Sequence, residues 1–356
     1  MSVLDLARPE IRELAPYASA RSIAGISPVT LNANESPWAA PGDSTGKLNR
    51  YPDPQPVALV GAIAEHFAVE TSQVLVTRGS DEAIDLLIRA FCAAGRHAVI
   101  QCPPTFGMYA ISARIQDARV CNVPLLADEG FGLDLPGLEL AAEDPAVRLV
   151  FLCRPNNPTG SMYGAEGIRN LCRQLAEQAL VIVDEAYMDF ASEPSMARDL
   201  EGLPNLAVLR TFSKAHALAG ARCGCLLADA DVISLLKRIL APYPLPTATI
   251  DAALKALEPD NLAATQRQTR MLNEGRAVLA RVLEELPYVR QQWPSEANFI
   301  LLRVDDGPAL CDWLAGQGVL VRNFHSNPVL KNCLRISIGS PPENARLTQL
   351  LKAYTP

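Results

Sequence analysis

Histidine is scarce, four residues in 356, and His66, His97, His216 and His325 stand far apart, with no H-E-x-x-H or comparable ligand spacing. No metal centre is expected. Aromatic residues make up only 6% of the chain, and positive charge is not in excess: 32 Lys plus Arg face 39 Asp plus Glu, a formal net charge of −7. No global basic field is available to hold nucleic acid or an anionic membrane, so an anionic small substrate would need a local group of arginines. No uninterrupted run of eighteen apolar residues occurs, and residues 1–10 mix Asp5, Arg8 and Glu10 with apolar positions where a leader would have an apolar core. The expected location is the cytoplasm. Nine cysteines include no C-x-x-C pair; Cys92 and Cys172 fall in apolar helical patterns and Cys121 and Cys153 in strand patterns, as reduced core residues do.

What is abundant is apolar and rhythmic. At 49% hydrophobic and 20% charged, a chain of this length can bury a large core, in two or three domains. From about residue 73, short β-branched runs (73–78, 97–101, 147–153, 180–184, 206–210, 223–228) alternate with longer helical patterns such as 81–94. The rhythm implies an α/β fold with a mostly parallel sheet sandwiched by helices. Ala241-Pro-Tyr-Pro-Leu-Pro246 cannot continue the helix before it, and a long helical stretch runs on from there toward Leu286. Beyond it, strands at 298–304 and 333–338 with helices at 308–317 and 343–353 predict a smaller α+β domain. The expected organisation is an N-terminal arm over 1–44, partly joining the small domain, a large domain over 45–245, and the small domain over 246–356.

Ligands of such sheets sit beyond the carboxyl ends of the strands, which directs attention to four junctions. In Thr77-Arg-Gly-Ser-Asp-Glu82 a strand turns through Gly79 into a helix, whose free N–H groups can cradle a phosphate; Ser80 or Asp81 as an ordinary N-cap explains the turn equally well. Arg154-Pro-Asn-Asn-Pro-Thr-Gly160 makes a rigid turn after a buried strand, with an amide free to enter a crevice. In Val181-Ile-Val-Asp-Glu-Ala-Tyr187, Asp184 ends an apolar strand, so either a cationic partner or a helix-capping role is expected. A Walker-B role is excluded, because no G-x-x-x-x-G-K-[ST] accompanies it. Finally, Lys214 follows Ser213 just past a strand, with Arg222 eight residues on. Lone lysines are usually solvated, yet a partly desolvated amine beside a hydroxyl and a guanidinium suits Schiff-base chemistry next to a phosphate.

Together, Gly-Ser-Asp, Asn-Asn-Pro-Thr-Gly, Asp-Glu-Ala-Tyr, Ser-Lys and Arg-x-Gly, in this order over residues 77–224, resemble the fold type I (aspartate aminotransferase-like) enzymes that use pyridoxal 5′-phosphate (PLP). The resemblance implies a seven-stranded-type sheet in the large domain. It also implies that Lys214 carries the cofactor as a Schiff base, that Asp184 pairs with the pyridinium nitrogen, and that Tyr187 and Asn157 bond the ring hydroxyl oxygen. Phosphate would fall to Ser213, Arg222 and the Gly79-Ser80-Asp81 turn. Arg335, in Cys333-Leu-Arg-Ile-Ser-Ile-Gly339, would grip the substrate carboxylate, although strand alternation equally allows it to face outward.

Further segments resemble the histidinol-phosphate aminotransferases: Leu31-Asn-Ala-Asn-Glu35, Leu48-Asn-Arg-Tyr-Pro-Asp53, residues 78–91 and Pro103-Pro-Thr-Phe-Gly-Met-Tyr109. The likeness implies transfer of an amino group between L-histidinol phosphate and 2-oxoglutarate in histidine biosynthesis. It implies a homodimer in which Tyr51 reaches the cofactor phosphate of the neighbouring subunit, and a substrate phosphate held by Tyr17 and Arg322. Two positions depart from the pattern. Phe106, expected to stack on the cofactor ring, stands in place of Tyr, and His216 stands in place of Phe. An aromatic or broad-range aminotransferase, a PLP decarboxylase of a phosphorylated amino acid, and a silent PLP-fold binding protein are the competing readings; joint retention of Lys214, Asp184, Tyr187 and Arg222 argues against the last.

Overall fold

The computed structural model describes residues 2–17, 29 and 31–355. Strands β1 (Val74–Thr77), β2 (Ala98–Gln101), β3 (Arg119–Asn122), β4 (Val147–Cys153), β5 (Leu180–Asp184), β6 (Leu206–Thr211) and β7 (Gly224–Ala228) form one sheet in the order β1-β7-β6-β5-β4-β2-β3. From β3 to β6 neighbouring strands are parallel, while β7 runs antiparallel to both β6 and β1.

The central strands are apolar without interruption because both faces are covered. Val181 and Val183 enter one core with Val150, Leu152, Leu206 and Val208; Leu180 and Ile182 enter the other with Leu149, Phe151, Ala207 and Leu209. Helices Val57–Phe67, Leu135–Ala142, Ala165–Gln174 and Thr247–Ala256 close the first core, and Ser80–Phe91, Met108–Ile115 and Ala230–Lys237 close the second. Periodicity located β4 and β5 to the residue. It missed β3, a sheet-edge strand with exposed ends whose residues carry little apolar signal.

The reversal of β7 places the chemistry. Parallel strands β4, β5 and β6 end on one edge of the sheet, and the β6–β7 connection turns on that same edge. Residues 212–223 therefore stay beside the ends of β4 and β5. Lateral pairing sets Cys153 beside Asp184, and Thr77 beside Gly224, itself beside Thr211.

A second, antiparallel sheet comprises β8 (Val289–Gln292), β9 (Phe299–Val304), β10 (Arg322–Asn323) and β11 (Cys333–Ser337), ordered β10-β11-β9-β8. Ile300, Leu302, Leu334 and Ile336 pack with Leu279, Leu283, Leu310, Leu314, Leu347 and Leu351 of three helices, Pro259–Glu284, Gly307–Gly316 and Pro341–Ala353. The long helical stretch expected after Pro246 is two helices, Thr247–Ala256 and Pro259–Glu284, because Pro259 lacks the N–H that would continue the first but suits the opening turn of the second. All nine cysteines are free thiols. Among the described residues, no helix is long and apolar enough to cross a membrane.

Candidate active site

The carboxyl edge of the large sheet encloses a cavity of about 140 Å³ whose wall includes Ser80, Asp81, Phe106, Asn157, Asp184, Tyr187, Ser213, Lys214 and Arg222. All four junctions singled out in the sequence meet there. A larger groove, about 740 Å³, lies between helices Pro259–Glu284 and Pro341–Ala353, but Glu274 is its one ionisable lining residue. Acid–base chemistry belongs to the smaller cavity.

The turn after β1 is built to receive an anion. Gly79 is the N-cap of Ser80–Phe91, at φ 79° and ψ 171°, and no side chain caps the helix, so its first N–H groups remain open. Neither Ser80 nor Asp81 caps, which removes the ordinary-cap reading. A Cβ on Gly79 would lie 2.9 Å from Nη2 of Arg222. The guanidinium of Arg222 bonds Asp81 at 3.0 Å, the Ala219 carbonyl at 3.2 Å and Ser213 Oγ at 3.4 Å. Arg222 itself has φ 55°, a strained left-handed conformation for a residue bearing a Cβ. Gly224 fits only as glycine: a Cβ would lie 2.8 Å from the Arg210 carbonyl and 2.9 Å from Gly79 Cα.

Asp184 is buried at the end of β5, with 3% of its surface exposed. Its expected cationic partner is not a side chain. Tyr109 donates its hydroxyl to Oδ2 at 2.7 Å, and the Ala186 N–H donates to Oδ1 at 3.1 Å. Burial raises its pKa to about 6, against the two donors that pull it down. Nothing local in the sequence marks Tyr109 as the partner of a carboxylate 75 residues away. Only proximity in the fold reveals it.

Lys214 opens onto the cavity, its ammonium 5.5 Å from the centre of the Tyr187 ring. Crowding by protein lowers its pKa, and repulsion from Arg335 adds to the effect. Tyr187 is buried, its phenol pushed above the ordinary range by that burial, and its hydroxyl accepts from Asn157 Nδ2 at 3.3 Å. Asn157 Oδ1 in turn accepts a very short bond from Arg335. Strand alternation left the direction of Arg335 open; Leu334 and Ile336 fill the small-sheet core, so Arg335 takes the opposite face, over Phe299 at 5.2 Å and toward Asn157. Its Nε is buried without a partner. Arg322 pairs with Arg335 across β10 and β11, and both guanidiniums lie over Phe324, at 5.9 and 5.7 Å. Burial lowers the pKa of Arg335, and Arg322 lowers it further.

Behind this wall runs an ionic ladder that the sequence did not disclose. Arg154 and Glu185 immediately follow β4 and β5, Arg210 is the penultimate residue of β6, and the three side chains are almost wholly buried. Glu185 lies 3.6 Å from Arg154 and 3.1 Å from Arg210, and accepts from Ser195 Oγ at 2.5 Å and the Met196 N–H at 2.8 Å. Arg210 also bonds Asp189 at 2.8 Å, and Arg154 pairs with Glu193. The cation expected beside Asp184 thus serves the next residue. Each rung precedes a segment that lines the cavity: Asn157, Tyr187, and Ser213 with Lys214.

Three residues singled out in the sequence lie outside the cavity wall. His216 packs between Phe212 (4.9 Å) and His66 (5.9 Å), its pKa lowered by burial, consistent with a packing role. Tyr51 is half-exposed and stacks on Tyr243 at 4.4 Å, away from the cavity wall. Tyr17 is 70% exposed and does not line the cavity.

A doubly covered sheet with an amine, a buried carboxylate, an anion cup and two paired arginines at its carboxyl edge defines a group-transfer enzyme. Residues 26–353 match the family "Aminotransferase class I and II", and the chain belongs to that family. It is 47% identical over 352 residues to the histidinol-phosphate aminotransferase of Stenotrophomonas maltophilia, covering 99% of this chain and 97% of that one. Among solved structures, a putative histidinol-phosphate aminotransferase from Erwinia carotovora atroseptica is 30% identical, with a TM-score of 0.79 over 90% of this chain and 94% of that one. The Sinorhizobium meliloti histidinol-phosphate aminotransferase, in complex with pyridoxal-5′-phosphate, is 25% identical, with a TM-score of 0.78 over 97% of each chain. The donor set here fits that cofactor. Asp184 is a buried carboxylate with two neutral donors and, among the described residues, no ion-pairing side chain, suited to a protonated ring nitrogen; the uncapped helix with Ser213 and Arg222 suits a phosphate; and Lys214 offers an amine.

Proposed function

We propose that this chain transfers the amino group of L-histidinol phosphate to 2-oxoglutarate, giving imidazole-acetol phosphate and glutamate, as a step of histidine biosynthesis. The observation that carries the reading is near full-length similarity at 47% identity to an enzyme of that name. The paired arginines Arg322 and Arg335 support it, since the donor brings one phosphate and the acceptor two carboxylates, and each of these anions calls for a guanidinium.

Lys214 would hold PLP covalently, Asp184 would bond its ring nitrogen, and Tyr187 and Asn157 its ring hydroxyl oxygen. Phe106 would stack on the ring, and the phosphate would be held by Ser213, Arg222 and the Gly79-Ser80-Asp81 turn. When bound, the cofactor supplies an electron sink for the pair left as the substrate Cα proton departs. Lys214, its pKa lowered, would be available as a neutral amine to take that proton at Nζ and to deliver it to the carbon on the far side of the amino nitrogen. Asp184 would keep the ring nitrogen protonated. Arg335 would hold the carboxylate of the 2-oxo acid and of its glutamate product, while its bond to Asn157 ties that grip to the Tyr187 hydroxyl. Arg322 and Tyr17 would take the substrate phosphate. In the proposed homodimer, Tyr51 would complete the phosphate cup of the neighbouring subunit, and the chain would divide into an arm over 1–44, a large domain over 45–245 and a small domain over 246–356, whose first helix, Thr247–Ala256, packs on the large-sheet core.

Half-reaction rates with histidinol phosphate, phenylalanine and phosphothreonine test the substrate. Histidinol phosphate is expected to be fastest; a preference for phenylalanine would reject it. Arg322→Ala should weaken histidinol phosphate far more than phenylalanine, and equal losses on both would remove Arg322 from the phosphate site.

A further inference from the structure

Tyr109 lies outside every role described so far, yet it touches two walls of the cavity. It is wholly buried on the helix Met108–Ile115, and its ring stacks on Phe151 of β4 at 4.8 Å and 10°. Phe106, on the cavity wall, meets the same ring edge-on at 5.6 Å and 80°. The hydroxyl donates to Asp184 Oδ2 at 2.7 Å, and the Cys153 thiol lies beside it. A stacked, buried ring leaves that hydroxyl no second rotamer, so the direction of the bond is set by packing rather than by the carboxylate.

We propose that Tyr109 is a positioning residue for the cofactor, aiming the Asp184 carboxylate at the ring nitrogen and sharing its charge; this rests on the assignment of Asp184 to that nitrogen. With Oδ1 held by the Ala186 N–H and Oδ2 by Tyr109, the carboxylate plane is fixed from two sides, and the remaining lone pairs point where the cavity opens. Burial holds the Tyr109 phenol well above its ordinary pKa, so it remains a donor at every working pH. Without it, a buried carboxylate would keep a single donor and take up a proton more readily. The other groups bearing on Asp184 are Lys214 from the β6–β7 connection and Asp81 from the helix Ser80–Phe91, while Cys153 of β4 bears on Tyr109.

The full chain freed of cofactor is titrated with PLP by near-ultraviolet circular dichroism between about pH 5.5 and 8.5, as wild type, Tyr109→Phe, Asp184→Asn and the double variant. Tyr109→Phe is expected to weaken PLP binding about tenfold near pH 6.5 and less at pH 8, and to add nothing in the Asp184→Asn background. With PLP carrying ¹⁵N in its ring, the nitrogen resonance should move toward unprotonated pyridine in Tyr109→Phe. A loss of equal size at every pH, or one that persists in the Asp184→Asn background, would show Tyr109 to be packing alone and overturn the proposal. Unchanged binding in Tyr109→Phe with weakened binding in Asp184→Asn would overturn it while leaving the Asp184 assignment standing. Full-strength binding in Asp184→Asn would overturn both.

Discussion

Asp184 shows how a single buried charge is made tolerable by its function. Its folded pKa of about 6 exceeds the ordinary 3.8, so the folded protein binds this proton more tightly than the unfolded chain. Its contribution to stability is complete below pH 3.8 and is lost as pH rises through 6; above that, the bare carboxylate is a net cost on the order of 2–3 kcal/mol. In cofactor-free protein, Asp184→Asn should therefore raise the unfolding free energy at about pH 8 and lose that gain as pH falls toward about 5. Urea denaturation at the two pH values reads it, and a stabilisation that does not change with pH would contradict the assigned pKa. Lys214 makes a separate prediction at the same scale. Borohydride reduction of the PLP-loaded protein should fix the cofactor's mass on the peptide containing Lys214, and Lys214→Ala should carry no label.

At the level of strands, the ladder Arg154–Glu185–Arg210 ties together the ends of β4, β5 and β6 from the face opposite the cavity. Glu185→Ala would leave two buried guanidiniums short of a counter-ion, and removing one partner from such a network costs roughly 3–5 kcal/mol. Chemical denaturation should show a loss of that order, and a smaller one for Glu185→Gln, which keeps a hydrogen-bond acceptor. A change below about 1 kcal/mol for Glu185→Ala would mean that Glu193 and Asp189 carry the arginines unaided. The contact between β1 and β7 is equally confined. Gly224→Ala would force Gly79 and the Arg210 carbonyl apart and loosen the anion cup, so PLP affinity should fall by more than about tenfold while substrate discrimination is retained. Equilibrium titration and paired half-reactions separate the two effects.

For the molecule as a whole, the two sheets meet through Arg335, Phe299, Tyr187 and Asn157, so the group proposed to grip substrate and the groups proposed to bond the cofactor ring belong to different sheets. The proposed homodimer adds a third contributor, Tyr51. Mixing Tyr51→Ala chains with Lys214→Ala chains under subunit exchange should restore activity to roughly a quarter of wild type, because half the dimers then hold one intact site of two. No recovery after verified exchange would place Tyr51 in its own subunit's site.

Strand periodicity, the glycine and proline turns and the order of the short motifs sufficed to locate β4 and β5, the edge of the sheet that carries chemistry, and Lys214, Asp184, Tyr187, Asn157, Ser213 and Arg222 around it. These signals are local: each depends on neighbours within a few residues, which a linear reading retains. The direction of Arg335, the partner of Asp184 and the ladder behind the site were not legible. Tyr109 and Asp184 are 75 residues apart, and Arg335 and Asn157 are 178 apart. Nothing in the local pattern distinguishes a strand arginine facing solvent from one facing a second sheet, or a core tyrosine from one whose hydroxyl steadies a carboxylate. Packing resolves both, because a buried polar atom must find its donor wherever the fold brings one within about 3 Å.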